Sequence, residues 1–345
     1  MIRPAGFPPA GFPAPGFPAP GARPRTGGAG YAPSVRHRGW WVGAYAAIGL
    51  AAAGAAGGVA RPGLLVWLLG LVVLLGRGSP NRVLRTLYDW APLLVIVAAY
   101  DVIRANASGL IPRAHLEPMI HIDEWIGAGV VPTVRLQDAL LRPADPGVLD
   151  YVGLAVYASH FVVAVVVAAF VYVRAAGRFL RYAWTFLACS LAGFATYVVY
   201  PAIPPWMASE RGAIPPVVRA PDVLWEHLGI DTLARVFSGD PRYSNPVGAL
   251  PSLHAAYPVL LLLLFWPVAR PAVRGLLVAY AAAMGFVLVY FAEHYVADLL
   301  LGWAYAVLAF LAVGAVLARR DAPAAPPPVP TDPPGTGTLE DAARG

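Results

Sequence analysis

The stretch "YFAEHYVADLLLGWAYAVLAFLAVGAVLARR", Tyr290 to Arg320, joins a short polar cluster to a long apolar run and ends on two arginines. From Val296 to Ala318 its one charged side chain is Asp298. A bilayer core of about 30 Å takes roughly 20 helical residues, so this run reads as a membrane-spanning helix. Glu293, His294 and Asp298 stand at its entrance.

The same pattern recurs along the chain. Further apolar segments lie near 40–60, 62–76, 86–104, 151–173, 182–200, 255–269 and 275–292. The second and sixth of the series, 62–76 and 255–269, are short for a span. Apolar residues make up 58% of the 345 and charged residues 13%, against about 25% charged in soluble domains. The mean hydropathy is +0.61. The expected fold is an all-α polytopic membrane bundle of about eight transmembrane helices.

Residues 1–39 repeat "GFPAP" units and 319–345 are Pro-rich, so both are expected to be disordered tails around an integral membrane domain, 40–318. The first is not a signal peptide, because no apolar core follows a short basic start. Cys189 is the one cysteine, which excludes a disulfide within the chain and a thiolate metal cluster. All 25 basic residues are Arg; with abundant Ala, Gly and Pro this matches a GC-rich bacterial genome. Nothing marks a nucleic-acid or protein partner.

Arginine distribution orients the spans. With the N-terminus inside, the inner segments carry Arg77, Arg82 and Arg85, then Arg174, Arg178 and Arg181, then Arg270 and Arg274, then Arg319 and Arg320. Two long outer loops are mixed in charge, one with Glu117, Asp123, Glu124 and Asp138, the other with Glu210, Asp222, Glu226 and Asp231. His294 then lies on the extracytoplasmic side of a bacterial plasma membrane.

His294 and Asp298 are four residues apart at a helix start and share a face, so the carboxylate can take the Nδ1 proton and leave Nε2 as base or nucleophile. A second histidine, His254, opens the apolar segment after "YSNPVGALPSLH", on the same side. Ser252 is placed as its N-cap, and a helix N-terminus is a ready anion site. The bland reading is two interfacial histidines that share a face; a zinc or magnesium site is the other competing use.

"PSLH" and, forty residues on, "HYVAD" resemble the second and third motifs of the type 2 phosphatidic acid phosphatase superfamily. The wording "HYVADLLLG" and the Pro-rich "TYVVYPAIPPW", Thr196 to Trp206, are similar to its inositol phosphorylceramide synthase-like, lipid phosphotransferase branch. The resemblance covers about residues 80–318 and implies a six-helix phosphatase-type core. It also implies His294 as the nucleophile forming a phosphohistidine, Asp298 as its orienting partner and His254 as general acid, with no metal and no cofactor.

The sequence departs from the family pattern at the phosphate-binding cations. Leu288 stands where the family has Arg, six residues before the histidine, and the Lys and Arg-Pro of the first motif are absent around Thr196 to Pro205. A phosphoryl group needs donors or cations in a low-dielectric site. The candidates to replace them are Arg242 with Tyr243 before "PSLH", and Arg104 with Asp101 at the outer end of the third segment.

Other polar residues carry less. His160 and Ser159 read as helix-packing groups; His115, His121 and His227 as solvated loop residues; Trp40, Trp41, Trp125, Trp206 and Trp303 as interfacial anchors. The expected activity is transfer of a phospho head group from a membrane lipid at the outer leaflet. Hydrolysis of a lipid phosphate or polyprenyl diphosphate is the alternative, and a transporter without catalysis the third reading.

Overall fold

The structure is a computed structural model that describes Tyr45 and residues 61–76, 79–229 and 245–321. Apart from Tyr45 and the ends of the helices, the expected tails and the first apolar segment lie outside the described residues. In chain order the helices are α1 Arg61–Leu75, α2 Pro80–Ala105, α3 Glu117–Ile126, α4 Pro132–Leu140, α5 Val148–Arg174 and α6 Ala176–Val199. Then follow α7 Pro205–Glu210, α8 Ala220–His227, α9 Leu253–Phe265, α10 Pro271–Tyr290 and α11 Val296–Asp321. Among the described residues no strand forms beyond isolated bridges.

Five helices, α2, α5, α6, α10 and α11, are long and apolar enough to cross a membrane, and α9 is a shorter apolar helix packed among them. This is an all-α integral membrane bundle. Proline sets several starts, standing at the first position of α2, α4, α7 and α10, where the missing N–H has no helical partner anyway. The central core joins Trp90 of α2, Phe179, Tyr182 and Phe186 of α6, Leu260 of α9 and Ala306 of α11.

The helices that carry the histidines touch through small residues. A Cβ on Gly302 of α11 would lie 2.2 Å from the Ser252 carbonyl oxygen, so glycine alone lets the start of α9 lie against α11. The Ser252 amide donates to the Asp298 carbonyl at 3.0 Å, which locks the same contact.

The two outer loops, mixed in charge, also carry a core of their own. Met119 and Ile120 of α3, Val134 of α4, Ile203, Val247 and Tyr295 form a buried apolar cluster of their own, each large side chain contributing about 1.5–3 kcal/mol by burial. Three loop segments lie side by side beneath it. His115 bridges to Ala202 and Ala202 to Gly248. The Ala202 amide donates to Val247 and the Ala249 amide to Ala202. The prolines of 201–205 keep this stretch extended, and the remaining amides supply the pairing.

Candidate active site

The turn between α10 and α11 presents the site. Helix α10 ends in a Schellman arrangement, the Ala292 amide donating to Val289 and the Glu293 amide to Leu288. Ala292 takes the left-handed position, φ 62, at a cost of about 1 kcal/mol for a residue with a Cβ. The Trp206 amide of the Pro-rich segment donates to the Ala292 carbonyl, holding the turn from outside. Glu293 and His294 therefore leave the helix end in fixed directions.

Helix α11 begins immediately after, and its free amides are taken by carboxylates. Asp298 accepts from the Tyr295 amide at 2.9 Å. Asp123, reaching over from α3, accepts from Val296 at 2.9 Å and Ala297 at 3.0 Å. Both carboxylates are fully buried. In the sequence Asp123 is only one acid of a mixed-charge outer loop; no local signal links it to α11, 173 residues away.

His294 and His254 meet, with His254 Nδ1 3.3 Å from His294 Nε2. The other ring nitrogen of His294, Nδ1, lies 2.9 Å from the Ala249 carbonyl oxygen and 3.4 Å from Asp298 Oδ2. A carbonyl can only accept, so Nδ1 carries the proton and Nε2 holds the lone pair. His254 then donates its own Nδ1–H to that lone pair. By spacing the orienting task falls to Asp298; the shorter contact is to the backbone of Ala249, which the loop bridging places. Ser252 caps α9 as expected, its Oγ accepting from Ala255 at 3.2 Å.

Helix α5 clamps His254 with Tyr157, His160 and Phe161, on one face by their spacing. Their ring centroids lie 5.6, 4.1 and 5.7 Å from that of His254. His160, read from sequence as a packing residue, is thus a direct neighbour of the histidine pair. Ser159 does pack as expected, bonding the Val156 carbonyl and Tyr280. His115, His121 and His227 are exposed as expected, His115 with its ring stacked on Tyr200 at 3.9 Å.

A cation also stands at the site, and sequence reasoning did not single it out. Arg219 donates from Nε to Glu293 Oε1 at 2.7 Å, from Nη2 to Oε2 at 3.4 Å, and from Nη1 to Asp222 at 3.1 Å. Its guanidinium lies over Trp206, 5.3 Å from the ring centroid, so this tryptophan is a platform as much as an anchor. Burial pulls the Arg219 pKa down, but Glu293, Tyr157 and Asp222 outweigh it and raise the value overall. Gln137 pins the segment, pairing with both the amide and the carbonyl of Val218 and with the Tyr290 carbonyl. Tyr157 donates to Glu293 Oε2 at 3.3 Å, linking this ion pair to the clamp on His254.

A protein-family model described as the PAP2 superfamily matches residues 119–312, more than half of the chain and all of this site's parts. The chain belongs to the PAP2 superfamily. It is accordingly an enzyme of the phosphatase and phosphotransferase type. It is also 35% identical over 137 residues to the phosphoinositol dihydroceramide synthase of Bacteroides thetaiotaomicron, a match covering 39% of this chain and 45% of that relative. The chain thus spans less than half the length of that relative. No solved structure matches significantly.

Leu288, in the place of the family arginine, is fully buried and receives the Glu293 and His294 amides on its carbonyl. Arg242 and Tyr243 lie outside the described residues. Arg104 is paired with Asp101 at 3.0 Å within α2. Arg219 is the cation tied to the residue next to His294.

Proposed function

We propose that this enzyme transfers a phospho head group from a membrane lipid to an alcohol acceptor through a phosphohistidine on His294. The observation that carries the reading is the contact between His254 Nδ1 and His294 Nε2. It sets a nucleophile of defined tautomer within hydrogen-bond distance of an acid–base group.

In the first half-reaction the Nε2 lone pair of His294 attacks phosphorus, and the bond from phosphorus to the leaving oxygen breaks. His254, doubly protonated, gives its Nδ1 proton to that oxygen. In the second, the neutral His254 takes the proton of the acceptor hydroxyl as its oxygen attacks phosphorus and the N–P bond breaks. Asp298 and the Ala249 carbonyl steady the charge that develops on the His294 ring. Hydrolysis would share the first half and use water in the second.

The head group, inositol phosphate or a relative of it, is supported by the similarity to a protein named a phosphoinositol dihydroceramide synthase. The extracytoplasmic face is supported by chain direction. The ends of α2, α6 and α10 and the starts of α5, α9 and α11 share the side of the two long loops, and Arg82, Arg85, Arg174, Arg178, Arg270, Arg274, Arg319 and Arg320 fall at the other. Helix α9 has 13 residues, about 20 Å of rise, and its start lies against Gly302, within α11.

The test is an assay of the detergent-purified protein against lipid phosphates and phosphoinositides with a ceramide or diacylglycerol acceptor. Phosphate release and lipid products are both recorded, with and without EDTA. A head-group-bearing lipid product, formed equally after chelation, is expected. Phosphate release alone from every substrate would assign a phosphatase.

A further inference from the structure

The ion pair between Arg219 and Glu293 is more than a loop tether. Their side chains are only 8% and 9% exposed, and a buried arginine left without a counter-charge is strongly disfavoured. Of the five guanidinium N–H groups, three are spent, two on Glu293 and one on Asp222. Two N–H groups are therefore unspent among the described residues, on an arginine whose place is fixed by Trp206 below and Gln137 behind. Glu293 precedes His294 directly, and its other neighbour is Tyr157, which stacks on His254. The turn itself is closed by backbone bonds from Ala292, Glu293 and Trp206, so the pair is not needed to close it.

The geometry points to Arg219 as the residue that binds the phosphoryl oxygens of the substrate, with Glu293 holding the guanidinium in place while the site is empty. This rests on the reading of His294 as the phosphoryl acceptor. The edge of the guanidinium that now makes two bonds to a carboxylate has the fork that fits two phosphate oxygens. An incoming phosphate replaces Glu293 on that edge, and Glu293 keeps its bond from Tyr157. The exchange leaves Arg219 compensated throughout. It also makes the affinity for phosphate a difference between two anions, because the carboxylate competes for the same donors.

The competition gives opposite signs for two nearly isosteric changes. Inorganic phosphate binding to the full-length protein in detergent is measured by titration calorimetry, with melting temperature as the fold control. Glu293→Gln removes the competing charge and is expected to tighten phosphate roughly tenfold or more, while Arg219→Lys, which keeps the charge and loses the fork, weakens it by a similar factor. Arg219→Ala is expected to abolish binding, and if that variant fails to fold, the other two still decide. Unchanged affinity in both conservative variants, or weaker binding in Glu293→Gln, overturns the inference, since a merely structural pair would lose or keep function together. Binding needs no turnover, so failure of the phosphohistidine reading shows separately, as activity surviving in His294→Ala.

Discussion

His294 donates its Nδ1 proton to the Ala249 carbonyl, 2.9 Å away. The residue that fixes the tautomer of the candidate nucleophile is thus a piece of main chain, delivered by a three-segment loop bridge, and the carboxylate four residues on is the longer partner at 3.4 Å.

Asp298→Asn should therefore be tolerated better than loss of an orienting carboxylate usually is. The Ala249 carbonyl keeps Nδ1 protonated, and an amide oxygen can still accept from Tyr295. What disappears is a negative charge beside a ring that becomes positive, so kcat is expected to fall about 10- to 100-fold. Single-turnover kinetics check this. A loss as complete as that of His294→Ala would return the orienting role to Asp298.

Gly302→Ala should separate the helices that carry the two histidines. Its Cβ would meet the Ser252 carbonyl oxygen at 2.2 Å, and backbone on both sides cannot rotate away. A stability loss of about 2–4 kcal/mol is expected, with activity lost. Gly275→Ala, where nothing lies within 4 Å, serves as control and should gain up to about 1 kcal/mol from helix propensity. Thermal melting of both variants in detergent decides it.

The fold was legible because membrane helices announce themselves by length and composition, and the histidine motifs fall at helix starts where an N-cap and short spacing can be read. The turn could be read for the same reason, since Glu293, His294 and Asp298 are neighbours in sequence. Asp123, Gln137 and Arg219 were not legible. Each acts across a loop fold, on Val296, Val218 or Glu293, and such pairings leave no periodic trace in either segment. His160 packs as read, but its partner was not legible, because a histidine facing inward on an apolar helix looks the same whether it packs against a leucine or against another imidazole.

Asp123 gives the protein a pH dependence. Its pKa is pushed up to about 6, first by burial and further by the Asp298 charge, against the pull of the Ala297 and Val296 amides. A carboxyl with a higher pKa folded than unfolded binds its proton more tightly in the fold. Its stabilising contribution is complete below the ordinary value of 3.8 and is lost as the pH rises through 6. The melting temperature of the wild type, compared with Asp123→Asn, should fall between about pH 4 and pH 7. A difference that grows with pH would reverse the sign and assign Asp123 as a stabilising ionised cap.

Sidedness can be read with single cysteines in a Cys189→Ala background. Glu210 and Gly177 are both exposed and belong to opposite ends of the bundle by chain direction. Ser209 is less suitable, since its hydroxyl accepts from Val217. On intact cells, Glu210→Cys should react with an impermeant thiol reagent and Gly177→Cys should not. The reverse pattern would put the site in the cytoplasm.

The most direct test of the account is to look for the covalent intermediate. The wild type and His254→Ala are mixed with lipid substrate, quenched within a turnover and digested, and the peptides are analysed by mass spectrometry under alkaline conditions that preserve an N–P bond. An acid-labile adduct on His294, carrying the head group and accumulating when the acceptor is withheld, is the expected result. Product formation at the full rate with no adduct on His294, or turnover retained in His294→Ala, would contradict it.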